Sequence, residues 1–401
     1  MSRRDEPAKA TGPSRYYRPE LDALRFVAFL LVFLTHTTPD GAYARQVHFP
    51  DSIVALVDGV NKACSFGLIL FFALSSFLIS ELLTRERAQT GTVMVREFYI
   101  RRILRIWPLY FAGVLAGTLF SLFVGEYTSE LPAMVWFAGF LGSWWIVLHG
   151  VELINPIYPL WSISVEEQFY LVIPWAARLA NRRRMISLCV IIIVLANVRL
   201  WYIAATWRSD TLVWFDPLFH FQAFAGGMLL SLLLGGRVPN LAHRWRMSLL
   251  LIGAAFWLTA TLICHVRFRG IPFPGSGHLI VGYQLVLLGT LTILLSALGL
   301  SPSVVPGWAI YLGRISFGLY VVHVFALDLL KRTAIAHRLT AGVHSRALEA
   351  ILSGGINFVL AFLISVGVAT ASYRFFESRF LRMKKRFTVI NSQPVAGDVT
   401  A

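Results

Sequence analysis

Four groups of residues combine types that do chemistry with spacings that could bring them together. The first is Arg25 with His36. On one helix the ten intervening residues are nearly three turns, about 16 Å of rise. The two side chains then sit toward opposite ends of the helix. A histidine can take a proton from a hydroxyl or carry a group as a nucleophile, although a lone histidine can also merely satisfy a hydrogen bond. The second group is the stretch WSISVEEQFY, residues 161–170. Glu166 lies four residues after Ser162, so both can share a helix face. A carboxylate is favoured near a helix N-terminus. A capping-box start would explain one of Glu166 and Glu167 but not the adjacent pair. A glutamate converging with a histidine would orient the imidazole and complete an acid/base unit.

The third group is Arg101, Arg102 and Arg105 at the opening of another apolar stretch. Arginine forks suit phosphates. The plainer reading is anchoring to lipid headgroups by snorkelling. The fourth is GRISFGLYVVH, residues 313–323, where Tyr320 and His323 are three apart. His323 reads equally as a second site residue or as a helix-contact histidine.

Apolar segments must position these groups. Eleven stand out, at about 21–38, 64–84, 106–125, 132–148, 163–180, 185–205, 217–235, 248–265, 279–299, 310–330 and 351–376. A spanning helix needs about 20 apolar residues. The segment 132–148 is short, opens with Pro132 and carries Gly139 and Gly142. It is expected to be a re-entrant or half-membrane element, enclosed by protein. The fold class is therefore an all-α polytopic membrane protein of about ten transmembrane helices plus that element, with both termini cytoplasmic. On this arrangement 23 of the 36 Lys and Arg fall on inside segments and nine on outside loops, as the positive-inside rule asks. The basic loop 331–346 is the awkward part, because it must lie outside. Residues 1–20 and 385–401 are expected to be disordered basic tails flanking a membrane domain over 21–384.

Composition agrees. Of 401 residues, 57% are hydrophobic and only 14% charged, and the mean hydropathy is +0.66. An ordinary soluble domain carries about 25% charged residues. A cytosolic globular enzyme, a disordered chain and a secreted disulfide scaffold are excluded. The net charge of +15 reflects basic inside loops, so no nucleic-acid partner is expected. Cys64, Cys189 and Cys264 are scattered, so neither a disulfide framework nor a metal site is suggested. The first apolar run lacks a small-residue cleavage pattern and reads as a retained span.

In this order and spacing the four groups resemble the integral-membrane acyltransferase family 3, over about residues 17–385. Leu21-Asp22-Ala23-Leu24-Arg25 through His36 resembles the family's opening Arg/Lys-x10-His motif. Ser65–Ser80, around Phe71-Phe72, resembles its second-span pattern. Arg102-x2-Arg105 and Ser162-x3-Glu166 fit its RxxR and SxxxE elements. GRISFGLYVVH and Tyr373-Arg374-Phe375-Phe376-Glu377 fit its last two spans. The resemblance implies transfer of an acyl group, acetyl above all, from cytoplasmic acyl-CoA to a hydroxyl. The acceptor would be a cell-envelope polysaccharide or lipid-linked sugar, and the location a bacterial inner membrane. By the same resemblance His36 is the essential catalytic residue. Glu166 and Arg25 support it, and Arg101, Arg102 and Arg105 meet the phosphates of the donor. Ser162, Glu167, Tyr320 and His323 line or support the site.

Three positions depart from the family pattern. Ile69 stands where the family often has an acid, Ser75-Ser76 replaces Ser-Gly, and Arg379 replaces a proline. No SGNH hydrolase-like second module is expected. Three other readings predict different observations. A small secondary metabolite such as a macrolide would be an alternative acceptor. A proton-coupled transporter would move a solute without releasing CoA. A non-catalytic scaffold would tolerate substitution of His36 and Glu166.

Overall fold

The computed structural model describes residues 16–38, 50–150, 154–206, 210–267 and 275–390. Among these the chain is helical throughout, with no strand. In chain order the helices are α1 (Pro19–Thr37), α2 (Asp51–Ser65), α3 (Gly67–Thr90), α4 (Val95–Phe123), α5 (Leu131–Ala138), α6 (Gly142–His149), α7 (Trp161–Leu179), α8 (Arg182–Thr206), α9 (Asp210–Phe215) and α10 (Pro217–Leu234). Then follow α11 (His243–Leu262), α12 (Ser276–Ala297), α13 (Gly307–Arg314), α14 (Ser316–Thr333), α15 (Ile335–Thr340), α16 (Arg346–Ala371) and α17 (Ser378–Lys384). A π-turn, Ser372–Glu377, joins α16 to α17.

The protein is an all-α polytopic membrane protein. Among the described residues seven helical stretches are long and apolar enough to cross a membrane: α2–α3 together, α4, α8, α10, α11, α12 and α16 with its continuation. The bent pair α13–α14 makes an eighth if it counts as one span. The helices α1 and α7, also expected to span, have 19 residues each. They miss a purely apolar criterion because they carry Glu20, Asp22 and Arg25, and Glu166, Glu167 and Arg178. Those charges belong to the site or flank it.

Burial separates centre from periphery. The apolar window of α2–α3 is 78% buried, whereas that of α16 is 11% buried. A helix apolar all round belongs either in a core or against lipid. Here α3 is the core helix, packed on α1, α10, α12 and α7, while α16 turns its outer face to lipid. Glycines permit the closest approaches. A Cβ on Gly313 would collide with the backbone of Asp22, and one on Gly227 with the carbonyl of Ala73. These two residues let α13 lie against α1 and α10 against α3.

Charges far from the site are satisfied locally. Arg199 donates from Nε and Nη2 to Asp216 at 3.0 and 2.8 Å, and Asp216 also caps α10 through the Phe219 amide. Arg332, in the awkward basic loop, donates to Asp328, Glu126 and Tyr127. Its charge is thus neutralised where the loop leaves α14.

The segment 132–148 forms two eight-residue helices, α5 and α6. Each rises about 12 Å, too short to cross. At the break Phe140 has φ +56°. Its ring stacks on Tyr110 at 4.4 Å and its carbonyl accepts from Gln168 Nε2 at 2.9 Å. Protein therefore satisfies the irregular backbone, as a half-membrane element requires.

The expected tail boundaries move outward into packed structure. Tyr16 is buried before α1 begins. At the other end Lys385–Phe387 forms a 3-10 turn and Ile390 is buried. Apolar side chains at 387 and 390 give this segment something to bury, which its basic composition concealed. Residues 1–15 and 391–401 lie outside the described residues.

Candidate active site

Positions 68, 71, 72, 75, 79, 82, 83 and 86 form one stripe of α3, spaced by three and four residues. Such a stripe is a single helix face, about 27 Å long. Its first half, Leu68 to Ser75, walls an inner cavity, and its second, Ile79 to Glu86, walls a cleft. Arg102 and Arg105 of α4 line both. The two hollows therefore succeed each other along one groove. The cleft opens at the end of the bundle where α4 begins and the C-terminal turn ends.

The inner cavity collects most of the residues picked from sequence. Arg25, Arg102, Arg105, Ser162, Glu166 and Tyr320 all line it. Each is held differently. Arg25 Nη1 pairs with Asp22 Oδ1 at 3.1 Å, one turn earlier on α1. Asp22 Oδ2 accepts from Tyr17, whose hydroxyl also accepts from Arg314. Arg102 lies over the rings of Phe98 and Tyr170. Stacking of this kind fixes a guanidinium plane and leaves its N–H edges free for an anion. Arg105 has no hydrogen bond or ion pair among the described residues. The Glu166 carboxylate accepts from the Tyr170 hydroxyl one turn along α7.

The bent pair shapes the deep end of the cavity. Between α13 and α14 the axis turns by 74° at Ile315, so α14 starts inside the protein. Ser316 and Phe317, its first residues, line the cavity. Four residues on, Tyr320 places its hydroxyl 2.7 Å from Ser162 Oγ and donates to the Pro159 carbonyl at 3.0 Å.

His36 lies one step further. His323 Nδ1 is 2.7 Å from the Tyr320 carbonyl oxygen. A carbonyl only accepts, so Nδ1 of His323 carries the proton and its Nε2 holds a lone pair. His36 Nδ1 lies 3.3 Å from that Nε2 and is therefore the donor. The basic nitrogen left on His36 is Nε2. His323 is fully buried, with the rings of Phe29, Phe33 and Tyr320 around it, whereas His36 is exposed. An exposed Nε2 backed by a fixed partner can accept a proton from an approaching hydroxyl.

Three sequence expectations meet different surroundings. Glu166 does not reach His36; its bond is to Tyr170, inside the arginine-lined cavity. The histidine's orienting partner is His323. Glu167 points away from both hollows, with Oε2 accepting from Trp107 Nε1 at 3.0 Å and Oε1 buried without a partner. Adjacent residues on a helix diverge by about 100°, which separates the pair. Arg101 lines the cleft but not the inner cavity, and is occupied by Glu86 at 2.7 Å and the Phe387 carbonyl at 2.9 Å. Ile69, at the position of the missing acid, is buried in the core.

Tyr170 and Lys384 were not singled out from sequence. Tyr170 carried a signal, since it lies four residues beyond Glu166 on the Ser162 face. Lys384 carried none beyond membership of a basic run.

Comparison with known proteins fits this arrangement. A family model described as an acyltransferase domain matches residues 18–374. The chain belongs to this acyltransferase family. The matched stretch contains every site residue above except Lys384, which lies just beyond it. Curated relatives of the chain include the peptidoglycan O-acetyltransferase OatA of Listeria monocytogenes, 28% identical over 175 residues, 41% of this chain and 25% of OatA. A Staphylococcus aureus protein named as an O-acetyltransferase is 27% identical over 180 residues, 41% of this chain and 26% of that protein. A chain of Acidianus two-tailed virus, named as an acetyltransferase, is 24% identical over 270 residues, 66% of this chain and 73% of the viral one. The matched region thus spans about a quarter of the length of the two bacterial relatives. No solved structure matches the chain.

Proposed function

We propose that this chain is a membrane O-acetyltransferase that takes its acyl group from acyl-CoA. The acceptor in this reading is a hydroxyl of a cell-envelope polysaccharide or lipid-linked sugar, and the membrane is the bacterial inner membrane. One observation carries the reading. A single groove runs along α3 past Arg102 and Arg105, neither of which has a carboxylate partner among the described residues, and ends beside Ser162 and Tyr320, next to the histidine pair. Unpaired arginines at membrane depth are costly without a role, and phosphates are their natural ligand.

In this mechanism the donor enters from the cytoplasm with its phosphates toward the arginines and its thioester toward Tyr320. His36 Nε2 takes the proton of the acceptor hydroxyl. The freed oxygen attacks the thioester carbonyl, a C–O bond forms, and the C–S bond breaks. The CoA thiolate leaves and takes up the proton from the imidazolium. An alternative order makes His36 the first nucleophile, with an acyl-imidazole formed and then resolved by the acceptor. Arg25 and Arg105 contribute positive charge toward the phosphates of the donor. Ser162 holds the Tyr320 hydroxyl.

The test uses membranes carrying wild type or His36→Ala, fed radiolabelled acetyl-CoA. Free CoA and label in envelope glycan and lipid are both followed. Transfer that His36→Ala abolishes is the expected result. A His36→Ala protein with wild-type transfer overturns the mechanism. Solute flux without CoA release, in membranes from the native host, overturns the function.

A further inference from the structure

The cleft at the mouth of the groove holds four cations: Arg101, Arg102, Arg105 and Lys384. Glu86 is the acid that enters it, and that carboxylate is committed to Arg101 and to the Met94 amide. Glu97 lies within Coulombic reach of Arg101, and Glu377 of Arg105, but neither forms an ion pair with them. Lys384 has no hydrogen bond or ion pair through its ammonium among the described residues. Like charges crowded in a sheltered cleft repel strongly, and a bound polyanion offsets that repulsion.

The backbone that carries Lys384 is held in place by local contacts. The π-turn Ser372–Glu377 continues α16 into α17, which packs on α4. Past Lys384, Thr388 Oγ1 donates to the Lys384 carbonyl at 3.0 Å, and Arg101 donates to the Phe387 carbonyl at 2.9 Å. Ile390 is buried against the cleft. The C-terminal turn thus forms the outer wall of the groove, and Lys384 is its charged tip.

Resting on the acyl-CoA reading above, we propose that Lys384 binds the 3′-phosphate of the donor nucleotide and so selects CoA over donors without it. The argument is one of charge and order. CoA carries a diphosphate and, further from the thioester, a 3′-phosphate. A phosphopantetheine arm on a carrier protein carries one phosphodiester. Arg102 and Arg105 line both hollows and lie nearer the site, where the diphosphate passes. Lys384 and Arg101 line the outer cleft and not the inner cavity, and Arg101 is taken by Glu86, which leaves Lys384 for the monophosphate there. A lysine serves such a group as a point charge.

The experiment uses the full chain in nanodiscs with native membrane acceptor. Donor KM is measured with acetyl-CoA and with 3′-dephospho-acetyl-CoA, for wild type, Lys384→Gln and Lys384→Arg. Wild type should favour acetyl-CoA by about tenfold or more, the worth of one charge-assisted hydrogen bond. Lys384→Gln should lose that discrimination, its KM for acetyl-CoA rising to meet that of the dephospho donor. Lys384→Arg should retain most of it. A parallel binding arm needs no turnover: adenosine 3′,5′-bisphosphate should raise the Tm of wild type but not of Lys384→Gln. Equal KM for both donors in wild type, or discrimination preserved in Lys384→Gln, overturns the role of Lys384. Absence of both CoA release and stabilisation by the bisphosphate in wild type would instead overturn the acyl-CoA reading beneath it.

Discussion

His36 Nδ1 and His323 Nε2 lie 3.3 Å apart, and the Tyr320 carbonyl fixes which of the two donates. An exposed histidine on α1 is thereby oriented by a buried one on α14. His36→Ala should reduce transfer by roughly two to four orders of magnitude, the usual worth of a positioned general base. His323→Gln should cost less, because His36 remains. It should also change the pH–rate profile, since the partner that shares the imidazole proton has been replaced. Rates of CoA release across pH, with expression checked by size-exclusion chromatography, measure both. An unaltered His323→Gln profile would remove the pair from the mechanism.

Glu166 bonds Tyr170 in the arginine-lined cavity and not the histidine. Glu166→Gln should therefore change donor KM while keeping the shape of the wild-type pH–rate profile. A profile altered as in the His323 variant would mean that Glu166 acts on His36 after all. The two variants side by side decide which residue orients the base.

Arg25 and Arg105 share the cavity but differ in their partners. Asp22 competes for Arg25, while Arg105 has no carboxylate partner among the described residues. Arg105→Gln should raise donor KM roughly 10- to 100-fold, the range for lost charge-assisted hydrogen bonds. Arg25→Gln should raise it less. Donor titrations of both variants check the order. Equal losses would mean that Asp22 leaves Arg25 as available as Arg105.

Two glycines predict opposite effects on stability. Gly313 faces the Asp22 backbone with no room for a Cβ, whereas Gly354 in α16 faces open space with ordinary helical dihedrals. Gly313→Ala should separate α13 from α1, lower the Tm and disturb Arg25, which follows Asp22 by one turn. Gly354→Ala should stabilise by about 0.5–1 kcal/mol, through reduced backbone freedom in the unfolded chain. Thermal unfolding in one detergent compares them. A stabilised Gly313→Ala would contradict the close packing.

Most of the membrane helices, and the faces that carry chemistry, are legible in the chain itself, but α2 and the bend at Ile315 are not. Apolar length and basic loops mark membrane helices, because lipid offers no partner to an unpaired backbone group. Proline and glycine within 132–148 marked the broken element for the same reason. Spacing of three and four residues put Ser162 with Glu166, Arg102 with Arg105 and Tyr320 with His323 on common faces, since that periodicity is local. Tertiary structure alone decided which face met which. His36 could have faced a carboxylate or another histidine, and the bend at Ile315 brought His323 to it. Glu166 and Glu167 looked equivalent along the chain and diverged by one helical step, one into the cavity and one against Trp107. Lys384 was an ordinary member of a basic run until the π-turn and α17 carried it to the mouth of the groove. Each of these depends on contacts between segments tens to hundreds of residues apart, which packing fixes and local pattern does not encode.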